Sequence, residues 1–369
     1  METFKHDLWK RRLVVETFEM KNGHLLEISC DDAASKEDII SNVKDIDIGN
    51  IPHLKINNCP LTETFGEIIE NINGDKNEVQ SLTTMFTKCE DETLKGKHFV
   101  GLNIMVNLTL NHNSINVVDE DFFVHLPNLE VLHLNSNPGI KFHPQTLQKL
   151  PSLKVLQIES CKISVLSEEI FKNLSDLRKL NLHNNNLKNI PAGIFSDLRS
   201  LVELNLSNNT IKSYPKGIFA DLENLTKLNL NNNPIEALLG NLLFETRKLK
   251  KFSLVKCKPQ NATSLYLSRR LFQNLPITKI HLENIKIEKL PDHFLRGCLQ
   301  LETLIIKSCL IEVLPNDIFE IAKNIQKIDF SRNNIAMLPL SIFKGLLKLQ
   351  ELNLHANRLA MLDPNQFQE

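Results

Sequence analysis

Three residue columns that return every 24 positions predict an α/β solenoid, with a parallel β-sheet on one wall and a mostly irregular wall opposite. The run LRKLNLHNNNLKNIPAGIFSDL, starting at Leu177, places apolar residues at Leu177, Leu180, Leu182, Leu187, Ile190, Phe195 and Leu198, with Asn185 among them. Steps of 24 residues from Asn185 land on Asn113, Asn137, Cys161, Asn209, Asn233 and Cys257; one step of 28 then leads to Ile285, Cys309, Asn333 and Asn357. Phenylalanine recurs at Phe99, Phe123, Phe171, Phe195, Phe219, Phe319, Phe343 and Phe367, with Phe244 and Phe294 one position out of register.

This is the leucine-rich repeat pattern, and it predicts a horseshoe whose concave face is the sheet, with eleven repeats over residues 101–369, the last incomplete. Each repeat opens with a short strand such as Leu180–Leu182, where alternation turns the leucines inward and Asn181 outward. The chain then rounds a sharp corner whose buried backbone groups need partners. A carboxamide both donates and accepts, so the column Asn113, Asn137, Asn185, Asn209, Asn233, Asn333 and Asn357 is structural. Proline at 191, 215, 291, 315 and 339 follows the corner, where a fixed φ suits an extended segment with no ladder bond to donate. Each phenylalanine on the far wall is worth about 4–6 kcal/mol of burial, realised only when a neighbouring repeat covers it.

The 28-residue step adds its extra residues near KPQNATS, which reads as a loop off the solenoid edge or as a ligand-contacting finger. Before Asn113 the pattern weakens around Cys59 and Cys89, so residues 24–100 are expected to be an amino-terminal cap with irregular first repeats. Residues 1–23 fit neither the repeat nor a signal peptide and are expected to be a non-homologous or wrongly joined leader. The absence of a cleavable leader and of a closing carboxy-terminal cap predicts a fragment of a longer protein.

Five of the seven cysteines, Cys59, Cys89, Cys161, Cys257 and Cys309, occupy the asparagine column, and Cys298 takes an inward leucine position. They read as small buried thiols, with no zinc spacing among them. Cys30 lies outside the repeat phase just before the cap. A Cys30–Cys59 disulfide would staple the cap if the protein is exported and would not form in a reducing cytosol.

Lys plus Arg number 43 against 44 Asp plus Glu, a net charge of −1 that lacks the positive excess phosphate binding requires, so no nucleic-acid partner is expected. No apolar stretch approaches the roughly 20 residues of a membrane span. Sequons at Asn107, Asn173, Asn205, Asn208, Asn224 and Asn261 favour a secreted, glycosylated origin, although asparagine-rich repeats generate some by chance. No phosphate-cradling loop, nucleophile elbow or metal-binding motif stands apart from the repeat phase, so no enzyme, cofactor or metal is expected.

The cap segment DIDIGNIPHLKINNCPLTETFGEII, followed by VQSLTTMF and HFVGLNIMVNLTLNHN, resembles the amino-terminal ectodomain of insect Toll receptors, in the Toll-like receptor family. NATSLYLSRRLFQNLP resembles a longer irregular repeat of the same receptors, and the resemblance extends from about Leu25 to Glu369. It implies a receptor ectodomain on the extracellular side of the plasma membrane that binds a dimeric cystine-knot cytokine of the Spätzle type, pairs as a receptor dimer and serves innate immune or developmental signalling. The chain departs from the family in lacking upstream cap cysteines, a signal peptide, a transmembrane helix and a TIR domain. An intracellular leucine-rich scaffold or inhibitor, and a secreted non-signalling decoy or matrix protein, are the competing classes.

Solenoids of this kind bind through the exposed face of the sheet. One outward column reads Asn107, Val131, Val155, Lys179, Glu203, Lys227, Lys251, Lys279, Thr303, Lys327, Glu351. Its lysines, Lys179, Lys227, Lys251, Lys279 and Lys327, form either a basic track for an acidic protein face or an ordinary soluble surface. His183 and Asn231 lie on neighbouring outward positions and complete the candidate ligand-binding set.

Overall fold

The computed structural model describes residues 3–5, 13–20, 23–30, 53–57, 81–85, 96–100, 102–240, 242–257, 264–287, 289–363 and 366. The chain divides into two compact units, one comprising 1–163 and 169–179 and the other 164–168 and 180–369. Both are built as parallel-strand solenoid. Among the described residues there is no α-helix, only short 3-10 turns at Gly96–Phe99 and Thr146–Lys149 and irregular chain opposite the sheet.

In the first unit the strands His53–Asn57, Ser81–Met85, Asn107–Thr109, Val131–His133 and Val155–Gln157 pair in parallel. Leu25 faces His53, His53 faces Ser81, Ser81 faces Asn107 and Asn107 faces Val131, so the early turns are longer than the 24-residue repeat that follows. Described parts of the stretch expected to be an unrelated leader are strands. Leu13–Met20 pairs antiparallel with Gly23–Cys30 along its whole length, and Thr3–Lys5 pairs antiparallel with it in turn. The run LVVETFEM is rich in β-branched and aromatic residues and therefore extends the sheet rather than standing apart from it. The proposed Cys30–Cys59 bridge lies outside the described residues, as do Cys89, Asn261 and Phe367.

In the second unit the strands Glu203–Asn205, Lys227–Asn229, Lys251–Val255, Lys279–Glu283, Thr303–Lys307, Lys327–Asp329 and Glu351–Asn353 form one parallel ladder. The 28-residue turn between Lys251 and Lys279 makes a second small contact, Ala237–Leu238 against Tyr266–Leu267, on the other side of the turn. Residues 258–263, where its four extra residues are expected, lie outside the described residues.

Leucine and isoleucine ladders fill each unit. In the second unit, Leu204, Leu228, Phe252, Ile280, Leu304 and Ile328 are all 3% exposed or less, which forces their neighbours along each strand outward. On the far wall Phe195 stacks on Phe219 with ring centres 6.2 Å apart, Phe272 packs edge-on against Phe252 and Phe294 at 5.2 and 5.4 Å, and Phe319 stacks on Phe343 at 6.2 Å. Phe294 thus joins the spine despite its register slip. Phe244 does not: it is 50% exposed, and Leu243 beside it is buried in its place.

The corners show how the asparagines act. The Asn333 carboxamide donates to the carbonyls of Ile306 and Phe330 at 2.7 and 2.8 Å, and its Oδ1 accepts from the amides of Cys309 and Ile311 at 2.9 and 3.2 Å. One side chain therefore satisfies groups from two successive turns. Where cysteine replaces asparagine the thiol keeps part of this role, Cys309 Sγ donating to Leu282 and Lys307 carbonyls. Immediately before this column the backbone is left-handed in every described turn, from His112, Ser136 and Ser160 through Asn184, Asn208 and Asn232 to Lys256, Asn284, Ser308, Arg332 and Ala356, with φ between 53 and 60°. Asparagine tolerates that conformation better than other side chains, and it fills four of the eleven positions.

Candidate functional site

The outward face of the ladder in the second unit carries most of the residues picked out for binding. Parallel pairing in exact register sets Glu203, Lys227, Lys251, Lys279, Thr303, Lys327 and Glu351 side by side on successive rungs. Adjacent strands lie about 4.8 Å apart, so neighbouring side chains feel one another's charge directly.

The column is not a uniform basic track. Lys227 Nζ sits 2.5 Å from Glu203 Oε1, and Lys327 pairs with Glu351, whose carboxylate raises the lysine pKa by hydrogen bonding and charge. Lys251 and Lys279 occupy adjacent rungs between these pairs and have no ion-pair partner among the described residues. Positive charge is therefore concentrated at two central rungs. Lys179 belongs to the first unit, where it is exposed at the start of Lys179–Asn181.

Beside the lysines runs a polar cluster centred on Glu283. His281 Nε2 lies 2.9 Å from one of its carboxylate oxygens and Lys307 Nζ 3.4 Å from the other. Burial alone would raise the Glu283 carboxyl, but hydrogen bonds from His281 and Lys307, reinforced by their charge, outweigh it and hold the pKa below the ordinary value. Glu283 therefore neutralises Lys307, the cation next to the column.

The other two candidates are tied into the sheet. His183 Nδ1 meets Ser207 Oγ at 2.8 Å, while Asn231 Oδ1 accepts from the Val255 amide at 2.8 Å and from Ser253 Oγ at 3.2 Å. Both are half-buried, and Asn231 serves to join neighbouring strands. In the first unit, burial pushes the His133 imidazole down, favouring its neutral form.

The sequons differ in their surroundings. Asn173 and Asn208 are exposed, Asn107 is half-buried in its strand, and Asn205 is half-buried with its Oδ1 accepting from the Ser207 amide and hydroxyl at 3.2 and 2.6 Å. Asn224 donates to the Arg199 carbonyl at 2.8 Å. Two features escaped the one-column reading of the sequence: Glu203 and Glu351 neutralise lysines of their own column, and Glu283 works across columns. The first was countable, since both glutamates stand in the same column; the second needs the side-chain geometry.

Leucine-rich repeat profiles match residues 104–163, 151–211 and 199–258, and a BspA-type leucine-rich repeat region profile matches residues 259–369. No curated protein sequence matches the chain. Among solved structures, a chain of the Toll–Spatzle complex, described as a molecular hub in Drosophila development and innate immunity, aligns with a TM-score of 0.73 at 20% identity. The alignment covers 94% of this chain and 51% of that one, so the chain spans about half the length of this relative. The Leptospira interrogans leucine-rich repeat protein LIC12759 aligns at 0.70 with 24% identity over 93% of this chain and 80% of that one. A chain of the TLR13–ssRNA13 complex aligns at 0.67 with 19% identity, covering 90% and 54%. At these identities the likeness is one of fold.

Proposed function

The chain belongs to the leucine-rich repeat proteins, and from that premise we propose that it is a protein-binding ectodomain of the Toll type, whose ligand is an acidic protein of the cystine-knot, Spätzle-like class. In this reading residues 24–100 cap the solenoid, the parent receptor stands on the extracellular side of the plasma membrane, and ligand binding brings two receptors together. The structural likeness to a chain of the Toll–Spatzle complex and the cap-segment resemblance support it. No described helix is long and apolar enough to cross a membrane.

The observation that carries the proposal is the pair of adjacent ammonium groups at Lys251 and Lys279, without an ion-pair partner among the described residues and flanked by the paired Lys227 on one side and the neutral Thr303 on the other. Two like charges set on neighbouring rungs cost stability, and an acidic partner surface would turn that cost into attraction. The near-neutral balance of 43 basic and 44 acidic residues favours a protein over a phosphate backbone as that partner.

The test is association of the full chain with a Spätzle-type cytokine dimer by surface plasmon resonance. Lys251→Glu with Lys279→Glu should slow association about tenfold at low salt while changing dissociation little, the behaviour of charges that steer encounter. An unchanged association rate in the double variant would overturn the assignment of this face.

A further inference from the structure

Away from the sheet, on the opposite wall of the second unit, the fold brings together His293, Asp317 and Glu320. His293 and Asp317 hold the same position in successive 24-residue turns, two residues after Pro291 and Pro315. Their side chains are therefore stacked by the solenoid itself, and Glu320 follows one short turn later. His293 Nδ1 lies 2.6 Å from Asp317 Oδ2 and 3.9 Å from Glu320 Oε2, and the three ligand atoms all fall within 4.8 Å of one another.

The three side chains border a cavity of about 10 Å³, together with Leu295, Arg296, Ile318 and Ile321. That is the volume of one water or one bare ion. The repeat does not require these residues: the equivalent of His293 is Gly193, Gly217 or Ser341 in other turns. At Gly217 the backbone is left-handed, with φ 72°, and His293 and Ser341 adopt a similar φ of 57°.

We propose that His293, Asp317 and Glu320 form a binding site for one divalent transition-metal ion of the Zn²⁺ class, which clips two successive turns of the solenoid. One imidazole nitrogen and two carboxylate oxygens are the donor set of such ions, whereas Mg²⁺ and Ca²⁺ take oxygen alone. Ligand bonds of about 2.0–2.2 Å require the exposed Glu320 oxygen to close in and the oxygen of the half-buried Asp317, which also accepts from the His293 amide at 3.2 Å, to back away slightly. The two carboxylates balance the charge of the ion. Arg296, which also borders the cavity, opposes it. Three protein ligands leave coordination positions to solvent, and the ion would replace the His293–Asp317 ion pair as the link between turns.

The experiment uses the full chain with Zn²⁺ followed by calorimetric titration and Co²⁺ by its visible absorption. Wild type should bind one Zn²⁺ at this site, give a Co²⁺ spectrum that Zn²⁺ abolishes, and hold both against a tenfold excess of Mg²⁺. His293→Gln, Asp317→Asn and Glu320→Gln should each weaken Zn²⁺ binding at least tenfold. His143→Gln, which removes a histidine paired with a single carboxylate, Glu120, at 3.8 Å, should leave affinity unchanged. Absence of Zn²⁺ binding in wild type, equal affinity in all variants, or preference for Mg²⁺ would each overturn the site and leave His293 and Asp317 a surface ion pair.

Discussion

Lys227 reaches back one strand to Glu203, with 2.5 Å between ammonium and carboxylate, while Lys251 on the next rung has no such partner. Charge compensation in this column therefore depends on which residue the repeat places one turn away. An exposed pair of this kind contributes up to about 1 kcal/mol. Glu203→Ala should lower stability within that range by leaving Lys227, Lys251 and Lys279 as three cations in sequence along the ladder. Lys279→Ala should be neutral or slightly stabilising, and raising salt should shrink both effects. Chemical denaturation at low and high ionic strength checks this; a loss of several kcal/mol in Lys279→Ala would contradict it.

Asn333 supports a larger effect because it is 4% exposed and serves backbone groups on two turns. Truncation to alanine strands the Cys309 and Ile311 amides along with two carbonyls. With buried unpaired groups costing about 1–3 kcal/mol each, partly relieved by relaxation, Asn333→Ala should destabilise by about 2–4 kcal/mol. Asn333→Cys should cost less, since Cys309 one turn earlier shows a thiol donating to two carbonyls from the same position. Equal losses for the two variants in denaturant melts would show that volume, not hydrogen bonding, matters at the corner.

The repeat was legible because it is written in residues whose identity alone determines their place. Leucine inward, asparagine at the corner and phenylalanine on the far wall each have one physical use at their position. Less was legible where backbone conformation or side-chain reach decides. The left-handed residue before each corner is Asn184, Asn208, Asn232 or Asn284 in some turns but His112, Lys256 or Arg332 in others, so no single residue type marks it. Phe244 kept the residue type and lost the place, because Leu243 fills the core instead. The candidate binding face was readable as a lysine column. That Glu203 and Glu351 stand beside Lys227 and Lys327 was countable in the same column, whereas the tie of Glu283 to His281 and Lys307 depends on side-chain geometry.

Tyr214 is 8% exposed, packs at 5.6 Å from Phe219, and its hydroxyl has no hydrogen-bond partner among the described residues. Burial, with a smaller contribution from Cys257, pushes its pKa well up, so it stays neutral. An orphaned hydroxyl costs free energy that its removal recovers. Tyr214→Phe should therefore stabilise the chain by about 1 kcal/mol, read as a raised unfolding midpoint. A destabilised Tyr214→Phe would mean that the hydroxyl has a partner in solution.

The buried thiols give the chain an alkaline limit. Burial pushes Cys257, Cys298 and Cys309 from 9.0 up to about 12, with backbone hydrogen bonds at Cys257 and Cys309 only partly offsetting it. Below pH 9 these thiols are protonated in both folded and unfolded chains, and their contribution is fully present. Between about pH 9 and 12 the unfolded chain releases the protons while the folded chain keeps them. Stability should then fall by about 1.4 kcal/mol per pH unit for each thiol, and level off in this respect only above the folded value. Cys298, whose Sγ donates to the Phe272 carbonyl at 3.7 Å, is the cleanest probe because no backbone donor offsets its burial. Cys298→Ala should cost stability at neutral pH through the small cavity it leaves, yet reduce the alkaline slope by one thiol's share. Denaturant melts of both proteins from pH 8 to 11 measure that slope; parallel curves would mean that Cys298 titrates in the folded chain as it does in water.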